Sequence, residues 1–128
     1  MTHQEIIDYC MKKKGAYLDY PFDQQMPVIK VNSDSQQKGR IFAQVFFLKG
    51  QPKVTLNCTP VMGEFYRSIY PDTVVRGYHC PAVQQPHFNT ISLDSVISDE
   101  ELYHMMDQSY DTVIAKYPAY IQRQILSQ

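Results

Sequence analysis

The sequence predicts an α+β domain of two layers, in which helices pack on one antiparallel sheet in the order α-βββ-α-ββ-α. Capping signals that open helices occur at Thr2, Thr59 and Ser98. Two strand-like runs flank a Lys-Gly-Gln-Pro turn at residues 49–52, which is typical of a hairpin. The length of 128 residues fits a single domain, residues 1–128, with one core.

The first helix is predicted over residues 2–14. Thr2 and Glu5 have the spacing of a capping box, in which each side chain accepts from the backbone of the other residue. Ile6 and Cys10 lie one turn apart on one face. Gly15 suits the position just past the helix end.

Residues 16–27 are predicted to form a loop rich in aromatic rings. The loop contains Tyr17, Tyr20, Pro21 and Phe22. Three rings beside one proline would expose a sizeable apolar patch if none were covered. We therefore expect Phe22 and at least one of the two tyrosines to pack on the domain.

Three strands are predicted next, over residues 28–32, 40–48 and 53–58. The second is apolar on both faces, as a central strand is. In the third, apolar and polar residues alternate, which indicates one buried and one open face. The short turn between these two predicts an antiparallel hairpin.

The second helix is predicted over residues 60–70, with Thr59 as its N-cap and Pro60 at its first position. Its apolar residues at helical spacing are expected to form the buried stripe. These residues are Val61, Phe65 and Ile69.

Two more strands, 73–78 and 87–93, follow, with residues 80–86 as a loop between them. The last long helix is predicted over 99–117, because Ser98 and Glu101 repeat the capping-box spacing. Pro118 stops or kinks this helix, and a short amphipathic tail helix is expected after it.

The composition excludes several classes of protein. A formal net charge of −1 gives no global basic field for attracting nucleic acid. No apolar run approaches the roughly 20 residues of a membrane span, and no signal leader opens the sequence. Three cysteines are an odd number for a disulfide framework. We expect a cytoplasmic protein with reduced thiols and no membrane partner.

The residues that carry chemistry favour neither a metal site nor catalysis. The one plausible metal cluster, Cys58, His79, Cys80 and His87, matches no compact zinc motif. Cys80 follows His79 directly, and neighbouring strand residues point to opposite faces, which argues against a nucleophile–base pair. The glycines are scattered and form no phosphate loop. We predict no metal, no cofactor and no catalytic residue.

Nucleic acid is a partner that the basic residues favour. A hairpin with basic residues at its ends can reach a DNA groove or backbone. Phe88 and Tyr78 would stack on bases if they are exposed. The candidate contacts are Lys38, Arg40, Lys49 and Lys53 around the hairpin, with Arg76, His79 and His87 near the later strands.

Several segments together resemble the MmcQ/YjbR family, in order and over nearly the whole chain. These segments are residues 15–17, 19–22, 39–43, 56–60, 77–79, 87–91 and 109–113. The resemblance implies the same α-βββ-α-ββ-α order, described for the family as a double-wing fold and similar to secretion-chaperone-like domains. DNA binding is the function usually given to the family, with no general catalytic mechanism.

The sequence departs from the family pattern where a DNA contact would lie. Asn57 stands where the family usually has lysine, and Phe88 where it has tryptophan. Residues 80–86 form a longer, uncharged link where the family has a short basic one. Asn57 therefore joins the candidate contacts, while the lost positive charge predicts weak, non-specific DNA binding.

Three functions stay open on the sequence. The first is a non-enzymatic binding module with DNA as its ligand. The second is a protein-interaction domain, chaperone-like or regulatory, favoured by the neutral net charge and the ten tyrosines. The third is a small-molecule-binding protein or enzyme, with Tyr78, His79, His87 and Asn89 around one pocket. A continuous basic patch, an apolar patch or a polar cleft on the surface would distinguish them.

Overall fold

The computed structural model describes residues 1–33, 38–77 and 80–128. Along the chain it has helix α1 (His3–Met11), strands β1 (Ala16–Asp19), β2 (Val28–Val31), β3 (Arg40–Leu48) and β4 (Gln51–Asn57), helix α2 (Pro60–Ile69), strands β5 (Val74–Arg76) and β6 (Phe88–Ser92), and helices α3 (Asp99–Ile114) and α4 (Ala119–Leu126). A 3₁₀ turn, Gln85–His87, precedes β6. Within the described ranges, no helix has the length and apolar character needed to cross a membrane.

The strands form one six-stranded sheet in the order β1-β2-β3-β4-β6-β5, with every neighbouring pair antiparallel. This confirms the α+β class and the antiparallel sheet. The β3–β4 hairpin is also confirmed, and its turn places Lys49 and Gly50 at positive φ. The predicted tail helix is α4.

The core lies between one face of the sheet and the helices. Val45, Val54 and Ile91 are partners across β3, β4 and β6, and all three are fully buried. Directly opposed residues share a face of the sheet. They cluster with Ile6 of α1 and Met106 of α3, which places these helices on that face.

The N-terminal caps follow the sequence closely. Thr2 and Glu5 form the full capping box, with hydrogen bonds of 3.0 and 3.1 Å. Thr59 caps α2 by accepting from Met62 N. Ser98 accepts from Glu101 N at 3.2 Å, which is only half of the predicted second capping box. The Glu101 carboxylate instead faces Tyr66, whose pKa is raised first by burial and then by that charge.

Residues 16–19, predicted as loop, form the edge strand β1. Gly15, at φ +76°, turns the chain back after α1, and the next four residues pair with β2. The pairing supplies hydrogen-bond partners for backbone groups that a loop would leave to water. The short segment lacks a clear alternation of buried and exposed positions, which is why its sequence did not indicate a strand.

The buried face of α2 is not the predicted one. Val61, Phe65 and Ile69 are 79%, 51% and 49% exposed, and the helix instead buries Gly63 and Tyr66. A Cβ on Gly63 would lie 2.6 Å from Cys58 Sγ, so only glycine permits this close approach to the sheet. The predicted stripe therefore faces outward.

The prediction that Phe22 packs on the domain is wrong. Its ring is 64% exposed, and Tyr20 is 47% exposed. Tyr17 is the ring that does pack, with its hydroxyl accepting from Gly39 N at 3.1 Å. Phe22 instead borders an open cleft, described below, and so has no core to enter.

Phe22→Ala should therefore change the free energy of unfolding by less than about 0.5 kcal/mol, as surface substitutions do. Phe42, fully buried against Tyr110, is the matched control, and Phe42→Ala should cost about 3–5 kcal/mol. Urea denaturation monitored by circular dichroism measures both. Equal losses for the two variants would contradict the placement of Phe22.

Candidate functional site

A cleft of about 520 Å³ lies mainly on the face of the sheet that points away from α1 and α3. Its floor comes from β2, β3, β4 and β6, and its walls come from the loop after β1, from Cys80 and from the end of α3. The lining residues are Pro21, Phe22, Lys30, Gly39, Arg40, Ile41, Gln44, Thr55, Asn57, Cys80, Phe88, Val113 and Lys116.

The floor of the cleft is polar because of the strand alternation. Gln44, Thr55 and Thr90 are partners across β3, β4 and β6, one residue away from buried Val45, Val54 and Ile91. Alternate strand residues point to opposite faces, so this row lies on the open face. Thr55 and Thr90 bond through their hydroxyls at 2.8 Å.

The sheet opens at one end of the cleft because the ladder between β3 and β4 stops there. Their pairing ends at Ala43 and Leu56, and Phe42 has no partner where β3 shifts register against β2. Bulges of this kind bend a strand and leave backbone groups to be satisfied elsewhere. The freed groups at Phe42, Ile41 and Asn57 need other partners.

Ser109 of α3 supplies two of these partners. Its fully buried hydroxyl donates to the Phe42 carbonyl and accepts from Asn57 N at 2.8 Å. The Asn57 side-chain amide donates to the Ile41 carbonyl at 3.0 Å. Ser109 and Asn57 thus bond the backbone groups that are left unpaired where β3 and β4 separate.

The charged residues of the cleft are cations. They are Lys30, Arg40 and Lys116, and no described residue that lines the cleft is acidic. The Arg40 guanidinium lies over the Tyr117 ring at 5.2 Å, a cation–π contact that holds it in place. Lys30 Nζ pairs with the rim residue Asp19 at 2.7 Å, and this hydrogen bond lowers the pKa of the Asp19 carboxyl.

Two aromatic rings also border the cleft. Phe22 comes from the loop after β1, and Phe88 comes from β6. Strands lie about 4.8 Å apart, so the three steps from β2 to β6 separate the two sides by roughly 14 Å. The cleft therefore combines cations, neutral hydrogen-bonding groups and exposed ring faces.

The predicted contact residues are spread over the domain. Arg40 and Asn57 line the cleft. Lys49 is exposed in the turn after the far end of the nine-residue strand β3, which lies roughly 27 Å from Arg40. Lys53 bonds Ser92 Oγ at 2.5 Å.

The later candidates lie elsewhere. Arg76 is exposed on the edge strand β5, and His87 is exposed in the 3₁₀ turn. Tyr78 and His79 lie outside the described residues. Asn89, expected beside them in a polar pocket, is buried and accepts from Arg67 at 2.6 Å on the helix side of the sheet.

Lys30, Lys116 and Phe22 were not among the predicted contacts. A signal for Lys30 was available, because it stands between buried Ile29 and Val31 and must face the other side of the sheet. Lys116 follows the end of α3, where sequence spacing gives no hint that the chain reaches the cleft.

The three cysteines are free thiols. Burial raises the pKa of Cys10 to about 12, and burial also raises the pKa of Cys58 and Cys80. A raised pKa leaves little thiolate at neutral pH, which opposes a nucleophilic role. Among the residues that the structure describes, no three His, Cys, Asp or Glu side chains cluster as metal ligands do.

Comparisons with known proteins identify relatives of this chain. The model of the YjbR family matches residues 11–112. The Escherichia coli K12 protein named "Uncharacterized protein YjbR" is 30% identical over 118 residues, which are 92% of each chain.

Solved structures share the fold. The crystal structure of a Deinococcus radiodurans protein with a DUF419 domain superposes with a TM-score of 0.85 at 25% identity, covering 97% of this chain and 87% of that one. A crystal structure of a Pseudomonas syringae protein gives a TM-score of 0.66 at 17% identity, covering 88% of this chain and 99% of that one, which supports the fold alone.

Proposed function

The chain belongs to the YjbR family, and from this premise we propose that it is a non-enzymatic binding module that holds a nucleic-acid strand in the cleft by its phosphates. The observation that carries the proposal is the charge of the cleft. Arg40 and Lys116 line it without an ion pair in the described structure, Lys30 lines it while paired with Asp19 at 2.7 Å, and none of the described lining residues is acidic. Such a site attracts a polyanion although the whole chain has a net charge of −1.

The chemistry of the cleft suits a sugar–phosphate backbone. Lysine and arginine neutralise phosphates and release counterions, which drives non-specific binding. The planar guanidinium of Arg40 can hold two phosphate oxygens at once. Thr55 and the amide of Gln44 offer neutral hydrogen bonds to phosphate or sugar, the groups that position a strand.

Few cations imply weak binding. Three phosphate contacts are fewer than tight DNA-binding proteins make, so the dissociation constant should fall within about 10⁻⁴–10⁻⁶ M at physiological salt. Lys49 and Arg76 lie outside the cleft lining and are expected to add little. The proposal thus keeps weak, non-specific DNA binding but moves the contact from the hairpin turn to the cleft.

Asn57→Lys should strengthen binding of a DNA strand by roughly tenfold at about 50 mM salt, because it adds a fourth cation to the floor. Asn57→Met is the matched control, since methionine has nearly the same length without charge, and it should not strengthen binding. Fluorescence anisotropy with a labelled oligonucleotide measures both. Equal effects of the two variants would show that Asn57 does not face the ligand.

A protein-interaction domain is the second candidate, and the exposed stripe on α2 favours it. Val61, Phe65 and Ile69 are all about half exposed or more, although natural surfaces seldom leave such a row uncovered. A second copy of the chain is the occupant that can be tested directly. Sedimentation over a range of concentrations should show association that Phe65→Ser abolishes if this candidate holds, and a monomer throughout would oppose it.

A further inference from the structure

We infer that the cleft accepts an unpaired base, which stacks on the exposed ring of Phe22. This inference rests on the proposed function, and it adds that the cleft selects single strands over duplexes. The observation behind it is the juxtaposition of a 64% exposed phenylalanine ring with three cations in one cleft.

The exposed ring of Phe22 is available to a ligand in the cleft. Removing a phenylalanine side chain from water typically stabilises a folded protein or a complex by about 1.5–3 kcal/mol. In the free protein the Phe22 ring is mostly exposed, so most of this stabilisation is absent. A planar group that covers the ring would recover the lost burial.

Bases provide such a planar group at the right place. Proteins that bind single strands combine a cationic groove for the backbone with aromatic side chains on which bases stack. Arg40 and Lys116 supply the first element and Phe22 supplies the second, all in one cleft.

A duplex does not fit this arrangement. A volume of about 520 Å³ lies in the range of small-ligand pockets, about 300–1,000 Å³, which suits an inserted unpaired base. The faces of paired bases are hidden in the stack, so Phe22 could not reach them. The cations lie inside the cleft. They do not form a protruding ridge that could enter the groove of a duplex.

The first test compares oligonucleotides of about eight nucleotides, within the site sizes of single-strand-binding folds. The probes are oligothymidylate, the same backbone with abasic sites, and the duplex. Wild type should bind the thymidylate strand roughly tenfold or more tighter than the other two. In Phe22→Ala the preference for the thymidylate strand over the abasic strand should disappear, while the affinity for the abasic strand stays unchanged. Phe22→Leu should behave in the same way, because leucine is apolar but has no π face.

The second test uses the absence of tryptophan from the chain. Phe22→Trp places one reporter at the cleft, and its emission should be quenched by the thymidylate strand but not by the abasic strand. Phe65→Trp, at a comparably exposed ring on α2 outside the cleft, should show no quenching. Thymidine monophosphate tests whether a free nucleotide can replace the strand as the ligand. Its affinity can equal that of the strand only if the neighbouring phosphates of the strand contribute nothing to binding.

The outcomes separate the two claims. Equal affinity of wild type for the thymidylate and abasic strands, or a preference that survives in Phe22→Ala, would overturn the base-stacking inference and leave phosphate binding in the cleft intact. Duplex binding as tight as single-strand binding would also overturn it. Failure of every probe to bind would refute both this inference and the proposed function.

Discussion

The double variant Arg40→Ala/Lys116→Ala should bind a DNA strand roughly a hundredfold more weakly than wild type at about 50 mM salt. Each phosphate contact that is lost from a single strand lowers the salt slope by about 0.7, which corresponds to roughly tenfold in affinity at that salt. Both residues line the cleft and neither forms an ion pair in the described structure. Fluorescence anisotropy over a salt series gives affinity and slope together.

The matched control removes two cations from elsewhere. Lys12 and Lys49 are exposed and do not line the cleft. Lys12→Ala/Lys49→Ala changes the net charge by the same amount, and it should leave the affinity within about twofold of wild type, since neither side chain lines the cleft and salt screens exposed charges. A loss as large as that of the cleft variant would point to a diffuse electrostatic attraction instead of a site.

Ser109→Ala should lower the free energy of unfolding by roughly 2–4 kcal/mol. The change leaves the Phe42 carbonyl and the Asn57 amide without the hydroxyl that bonds both, at a fully buried position. An unsatisfied buried polar group costs about 1–3 kcal/mol. Ser68→Ala, at an exposed serine on α2, should cost less than about 0.5 kcal/mol.

Urea denaturation measures both serine variants. Similar small losses for the two would show that the Ser109 hydroxyl does not hold the opening between β3 and β4. Ser109→Ala also affects the site, because Asn57 belongs both to the hydrogen-bond network of Ser109 and to the cleft floor. We therefore expect Ser109→Ala to weaken strand binding as well, since the floor loses the contact that fixes it.

Strand β3 and the caps at Thr2 and Thr59 were readable from the sequence because local rules decide them. β3 was predicted with its observed bounds, since a long run that is apolar on both faces has few alternatives to a central strand. The capping residues at Thr2 and Thr59 act through bonds to residues three positions away, so tertiary context does not alter them.

The errors arose where packing between distant segments decides the structure. The apolar row of Val61, Phe65 and Ile69 matched a buried stripe, yet the small size of Gly63 lets the other face of α2 approach the sheet. β1 forms because Gly15 returns the chain to β2, a pairing that its own four residues do not encode.

The cleft was only partly readable for the same reason. Arg40 and Asn57 were named from the sequence, and strand alternation alone would have added Lys30. The contributions of Phe22 and Lys116 depend on where a loop and a helix end meet the open face. That meeting point is a matter of tertiary packing, as are the bulge in β3 and the Ser109 network, which sequence spacing does not reveal.

The salt dependence of single-strand binding tests the central claim most directly. If three cations of the cleft contact phosphates, a plot of log K against log salt concentration for oligothymidylate should have a slope of about −2, at about −0.7 for each contact. The slope should fall to about −0.7 in Arg40→Ala/Lys116→Ala and stay near −2 in Lys12→Ala/Lys49→Ala. The absence of binding at low salt, or a slope that responds equally to both double variants, would contradict a nucleic-acid site in the cleft.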